Sequence, residues 1–234
     1  MSRLFSRVKQ MRSDRAAVHP RHPGWPEATP AVFTPANIHV RLRPLDKNDK
    51  SAWRMMRLSD QRFLEPVEPT VEDTWQSAHS STAWRSYIFS LRQAAFAGSL
   101  VPMSIEANGQ FVGQLTIGSI QHGISSDAWI GYWVHSSVTG QGIATAACAL
   151  GVDHAFRRVR VHRLTATYLP HNIGSQKVLV RCGFRHEGYL ERNLHINGMW
   201  RDHYLMAQTN DEFTSPCVDR LIASRFLRRA CPHP

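Results

Sequence analysis

Residues 138–145, Val-Thr-Gly-Gln-Gly-Ile-Ala-Thr, place the tightest constraint on this 234-residue chain. They follow an apolar, aromatic run (Trp129, Ile130, Tyr132, Trp133, Val134) and open an Ala-rich segment of helical composition. A strand, then a turn with Gly140 and Gly142, then a helix start is a place to seat a phosphate. Glycine lets the backbone approach an anion closely and take φ > 0. A helix N-terminus adds unpaired N–H donors and a partial positive charge. Two glycines also suit a plain loop, so this segment alone leaves both readings open. It lacks the Lys-Ser/Thr ending of a P-loop and the three-glycine spacing of a dinucleotide fingerprint, which argues against ATP and NAD.

A second pattern occupies residues 163–189. Leu164, Ala166 and Tyr168 among Thr165 and Thr167 read as a strand. Pro170 and Asn172 break it. Ile173, Val178, Leu179 and Val180 suit a short helix that Gly183 is placed to end. With Gly140-Gln141-Gly142-Ile143-Ala144-Thr145 stand the run Pro170-His171-Asn172, Ser175 three residues on, Gly183-Phe184, Glu187-Gly188-Tyr189, and Asn197-Gly198 before Trp200-Arg201-Asp202-His203. On these residues the chain resembles the GNAT N-acetyltransferases over roughly residues 37–210. It is most similar to their RimJ/RimL branch, which acetylates the N-termini of ribosomal proteins.

The resemblance implies an α+β fold, a mixed central sheet with splayed middle strands and flanking helices. It implies transfer of acetyl from acetyl-CoA to an amine, with no metal. Acetyl-CoA would then be held by the 139–144 turn, with Val134, Thr139, Gly140, Gln141, Gly142, Ile143, Ala144, Thr145, Asn172 and Ser175 as its expected contacts. Relatives often carry Gln or Arg where this chain has Thr139, so one side-chain donor is weakened while the backbone donors remain. By analogy a backbone N–H at a bulge near Val134 polarises the thioester carbonyl. Ser175 is the candidate donor to the leaving thiolate, since a hydroxyl can give one hydrogen bond to developing charge; it also suits a helix cap. Asn172 is expected on the pantetheine arm or in the turn itself. Trp133 and Tyr168 are expected to line the acceptor.

The general base is not evident. Relatives often carry an acid where this chain has Trp129. Asp127, two residues earlier and therefore on the same strand face, is the candidate, with Glu106 and His122 as fallbacks. An α-amine has a reference pKa of about 7.7–8.0 against about 10.4 for lysine, so an N-terminal acceptor makes the milder demand. His19, His22, His195 and His203 are scattered and suggest no metal site. Tyr189 and Trp200 suit core or rim.

The net charge of +10 is uneven. Residues 1–36 hold six Lys/Arg against two acids and residues 213–234 four against one, leaving +3 for the body. The basic ends suit solubilising tails, or weak attraction to RNA or to a ribosome. The aromatic pattern of an RNA-recognition motif and zinc-finger spacing are not found. No apolar run approaches the ~20 residues of a membrane span. Residues 1–12 are charged throughout with no secretory h-region, and Cys148, Cys182, Cys217 and Cys231 form no Cys-x-x-Cys pair. Reduced thiols and a cytoplasmic home are expected.

Three regions follow: a basic Pro-rich arm (1–36), the acetyltransferase domain (37–212) and a basic helical extension (213–234). Residues 1–12 suit a small docking helix and 19–35 an extended linker. A strand is expected at 40–43, a helix from Asp46 to about Leu58, and one or two helices in 70–97. A hairpin is expected about Asn108-Gly109 with arms 102–107 and 111–120. Then come strand 128–134, helix 142–157, strand 162–168, helix 173–182, strands about 189–196 and 200–208, and a terminal segment 217–229 of helical spacing. The acceptor is expected to be a protein N-terminus, free or ribosome-bound, and the enzyme a monomer or homodimer. The alternatives are a small-amine or antibiotic acetyltransferase and a non-catalytic ribosome- or RNA-associated module of the same fold.

Overall fold

The computed structural model describes residues 24–230. Nine strands run in chain order as β1 (Val32–Phe33), β2 (His39–Pro44), β3 (Leu100–Ala107), β4 (Gln110–Gln121), β5 (Asp127–Val134), β6 (Arg163–Tyr168), β7 (Arg185–Ile196), β8 (Met199–Thr209) and β9 (Arg228–Arg229). The α-helices are α1 (Lys50–Ser59), α2 (Gln61–Leu64), α3 (Trp75–Ala78), α4 (Ser81–Phe96), α5 (Ile143–His154), α6 (Ile173–Arg181) and α7 (Cys217–Ala223). The strands form one sheet in the order β7-β8-β6-β5-β4-β3-β2-β1-β9.

Side chains alternate across this sheet, as a half-buried strand requires. Leu115 and Ile130 meet α5, where a Cβ on Gly151 would lie 2.8 and 2.9 Å from their tips. Glycine there lets the helix sit close on the sheet. Gln114 faces the other way and donates to the Tyr87 hydroxyl of α4 at 2.7 Å. Two cores result. One joins α5 to Val40, Leu42, Met103, Ile105 and Leu164. The other packs Trp53, Trp84 and Ile88 of α1 and α4 against Leu45 and Phe111.

Local chemistry fixes the element ends. Asp46 caps the short 3-10 turn Lys47–Asp49 ahead of α1 in a capping box with Asp49. Asn108-Gly109 makes the β3–β4 turn, both residues at positive φ. Asn172 caps α6.

All neighbouring strands are antiparallel except β5 and β6, which are parallel. These two pair only at Asp127–Trp129 with Arg163–Thr165. Beyond Trp129 they part, while β5 stays paired with β4 as far as Val134 and β6 with β8 as far as Tyr168. This is the splay implied by the resemblance, and it opens the sheet at its centre.

Two segments differ from expectation. Part of the Pro-rich stretch expected as a linker belongs to the folded body. Trp25 is buried edge-on against Phe96, His154 Nε2–H donates to Gly24 O at 2.6 Å, and Glu27 pairs with Arg158. A large indole and a strand that completes the sheet outweigh the local signal of the prolines. The terminal segment is helical only through Ala223. Arg225 then takes φ 61° and the chain turns into β9, which pairs with β1. The expected docking helix at 1–12 lies outside the described residues. No helix among the described residues is long and apolar enough to cross a membrane.

Candidate active site

A groove of about 1140 Å³ runs over the glycine turn and ends at the opening between β5 and β6. Its floor contains Thr139 through Thr145, together with Val134, Asn172 and Ser175. All ten residues expected to contact the acetyl donor therefore line one groove. Gly140 and Gly142 take φ 76° and 81°, the left-handed region that glycine enters without strain. No side chain caps α5 at Gly142 and no acid sits in its first turn. Its leading N–H groups thus lack an intrahelical partner and face the groove with the positive end of the helix dipole. Arg62, Lys177 and Arg181 line the same groove. Such a site suits a polyanion.

Thr139 and Gln141 serve the turn itself. Thr139 Oγ1 donates to Ser136 O at 2.8 Å and Gln141 Nε2 to Ser137 O at 3.3 Å. Asp60, buried, accepts from Ser136 N at 2.5 Å and from Ser136 Oγ at 2.6 Å, which anchors the start of the turn to the α1–α2 junction. Asp60 is the one carboxylate among the groove's lining residues. The ladder against β4 is regular from Trp129 to Val134; the register shift in this pair lies between Gly118 and Gln121. A bulge at Val134 is therefore not seen.

A smaller cavity of about 150 Å³ fills the splay itself. Tyr132, Trp133, Asn172 and Ser175 line both spaces, and Tyr168, Glu68 and His203 line the smaller one. Asn172 Oδ1 accepts from Ser175 N at 3.1 Å, so Asn172, not Ser175, is the helix cap. The Ser175 hydroxyl is left over and lies 3.4 Å from Tyr132 Oη. Burial, with Cys148 nearby, pushes the Tyr132 hydroxyl well above the ordinary tyrosine value, so it stays protonated. Two hydroxyls thus meet where groove and cavity join.

The expected base is not there. Asp127 begins β5 at its closed, paired end, five residues from Tyr132, which is about 17 Å of extended strand. Counting face without counting distance misplaced it. Glu106 is on β3, held by Arg41 at 2.6 Å and Arg43 at 2.8 Å. His122 lies just past the end of β4 and lines neither space.

Other residues at the cavity carried no local sequence signal. Glu68 follows the 3-10 turn Glu65–Val67 and takes two bonds from Arg57, at 2.9 and 3.2 Å. Arg57 is itself boxed by the rings of Trp53, Trp75 and Trp133 at 5.8, 5.2 and 5.1 Å. Its Nε donates to His79 Nε2 at 3.0 Å. A run of ordinary helical residues cannot reveal that two distant tryptophans, Trp75 and Trp133, join Trp53 of the same helix on one guanidinium.

Residues 39–185 match the acetyltransferase (GNAT) domain. The chain is 47% identical to Mycobacterium smegmatis RimJ in a complex with CoA-disulfide, with a TM-score of 0.87, covering 89% of this chain and 100% of that one. It is 28% identical to the Escherichia coli ribosomal protein uS5-alanine N-acetyltransferase over 82% of this chain and 97% of that one. A probable N-acetyltransferase of Bacillus subtilis, YjcK, is 37% identical over 45% of this chain, and the match spans only 59% of that protein.

Proposed function

Because this chain belongs to the acetyltransferase (GNAT) family, we propose that it transfers acetyl from acetyl-CoA to the N-terminal α-amine of a protein. The observation that carries the reading is the junction of two spaces. A groove with unpartnered helix N–H donors and three cations meets an opening in the sheet, and Ser175 and Tyr132 stand at the meeting point. The groove's turn and first α5 residues hold the phosphates of CoA. The acetyl donor brings an electrophilic thioester carbonyl. The opening admits an extended peptide, whose main chain can bond to the free edges of β5 and β6 without much demand on its sequence. Trp133 and Tyr168 frame that entrance. Ser175, with Tyr132 behind it, donates to the departing thiolate.

The Escherichia coli relative named for its action on ribosomal protein uS5 supports a protein acceptor. The basic ends suit an acceptor presented on a ribosome, and such work belongs in the cytoplasm. A polyamine acceptor fits less well, because the one carboxylate lining the small cavity, Glu68, is already neutralised by Arg57. The test is a panel of ribosomal-protein N-terminal peptides, free or N-blocked, beside spermidine. Turnover confined to free N-termini supports the reading; turnover of spermidine alone, or of blocked peptides equally, rejects it.

A further inference from the structure

The cavity between the splayed strands is lined by His203, whose Nε2 makes no hydrogen bond among the described residues. We propose that this atom, Nε2 of His203, takes the proton from the incoming α-ammonium. The inference rests on the acetyl-transfer reading and goes beyond it by assigning the base.

His203 sits in β8 opposite Leu190 and is buried, yet it lines the cavity with Tyr132, Tyr168, Ser175 and Glu68. Its Nδ1 is 3.0 Å from Arg201 O. A carbonyl oxygen only accepts, so Nδ1 carries the hydrogen and Nε2 the lone pair. Among the described residues Nε2 makes no hydrogen bond. Of the carboxylates, Glu68 is gripped twice by Arg57, and Asp127 and Glu106 lie elsewhere.

The charged and titratable groups facing the ring are few. On its own strand they are Asp202 and the Arg201 carbonyl; Glu68 of the loop after α2, held by Arg57, Tyr132 on β5 and Tyr168 on β6 line the same cavity, and its β7 neighbour Leu190 is uncharged. Burial lowers the imidazole below its ordinary value, and the Arg201 carbonyl and Asp202 oppose this only in part. The ring is uncharged at neutral pH and able to accept.

The protons balance. The ammonium gives one proton to Nε2, directly or through one water. The freed amine forms the N–C bond to the thioester carbonyl and the C–S bond breaks. The second proton leaving nitrogen ends on the thiolate through the Ser175 and Tyr132 hydroxyls. His203 then releases its proton to solvent.

The test is His203→Gln, which keeps volume and polarity but cannot take up a proton. CoA affinity by calorimetry is expected to stay within twofold of wild type. Turnover of an α-amine peptide at pH 7 is expected to fall by about six- to elevenfold, the factor by which an amine of pKa about 7.7–8.0 is protonated there, and the deficit to close as pH rises past that value. A peptide bearing an N-terminal aminooxy group, which is already neutral at pH 7, should be acetylated by the variant within a few-fold of wild type. Equal losses toward both acceptors, or a loss constant across pH 6–9, overturn the assignment. If Gln unfolds the protein, the wild type still decides: the acid limb of kcat/KM must have its midpoint below 6.5, and a midpoint at or above it overturns the role. If wild-type protein acetylates neither acceptor, the acetyl-transfer reading itself fails, and this outcome is distinct from the others.

Discussion

At the residue scale the Asn172–Ser175 pair divides two roles that local sequence leaves merged. The Asn172 carboxamide caps α6 through a backbone N–H, so truncating Ser175 leaves the cap intact. Ser175→Ala is therefore expected to lower kcat by about 10²-fold with CoA affinity and melting temperature nearly unchanged. Asn172→Ala should instead cost about 1 kcal/mol of stability. Denaturation midpoints and kcat on the two variants separate the roles; a Ser175→Ala enzyme with full turnover would remove the hydroxyl from the reaction. A second residue-scale expectation concerns Asp49. It accepts from Arg43 at 2.7 and 2.9 Å, from Ser104 Oγ at 2.8 Å and from Asp46 N at 2.9 Å. Burial raises its carboxyl, but these donors more than offset that and hold it below the ordinary carboxylate value, as Arg41 and Arg43 do for Glu106. Groups depressed in the folded state stabilise above the unfolded pKa, and that contribution is lost as pH falls through the folded one. Stability should therefore be level near neutrality and decline below about pH 4. Asp49→Asn should flatten that decline, as read by urea midpoints across the acid range.

At the element scale the glycine turn and the splay do the work, and they were unequally legible. The turn, helix α5, the strand β6 and the β3–β4 hairpin stood out because glycine, proline and Asn-Gly act locally. The β5–β6 opening came through resemblance alone, since nothing in Ile130–Val134 states which neighbour a strand lacks. Asp127 was misplaced because face is a local property and distance along the strand to the opening is not. Arg57, Glu68 and His203 escaped because their role depends on chains that meet only after folding. An element-scale test follows from Gly142, whose added Cβ would lie 2.9 Å from Pro35 in a backbone at φ 81°. Gly142→Ala should both strain the turn and weaken CoA binding. At Gly140 a Cβ meets nothing within 4 Å, but the backbone is at φ 76°, so Gly140→Asp should cost about 1–2 kcal/mol of stability and repel the phosphates. Calorimetry that finds CoA bound as tightly by folded Gly140→Asp protein would detach the turn from the cofactor.

At the scale of the whole molecule, part of the basic N-terminal region belongs to the fold. Residues 24–36 supply Trp25, the Glu27–Arg158 pair and β1. Deleting residues 1–36 is therefore expected to destabilise the protein by about 3 kcal/mol or more, from loss of the buried indole alone. Deleting only 1–23 removes six Lys/Arg and one Asp, and is expected to spare turnover of a free peptide. It should reduce the salt sensitivity of turnover on ribosome-bound acceptor, because screening weakens long-range attraction most. Initial rates at two ionic strengths check both. The central claim, that groove and opening together acetylate a protein α-amine, is tested most directly with one peptide carrying both a free N-terminus and an internal lysine. After incubation with acetyl-CoA, fragment-ion mass spectrometry should place the acetyl group on the α-nitrogen and leave the lysine bare; acetyl on the lysine side chain alone would contradict the account.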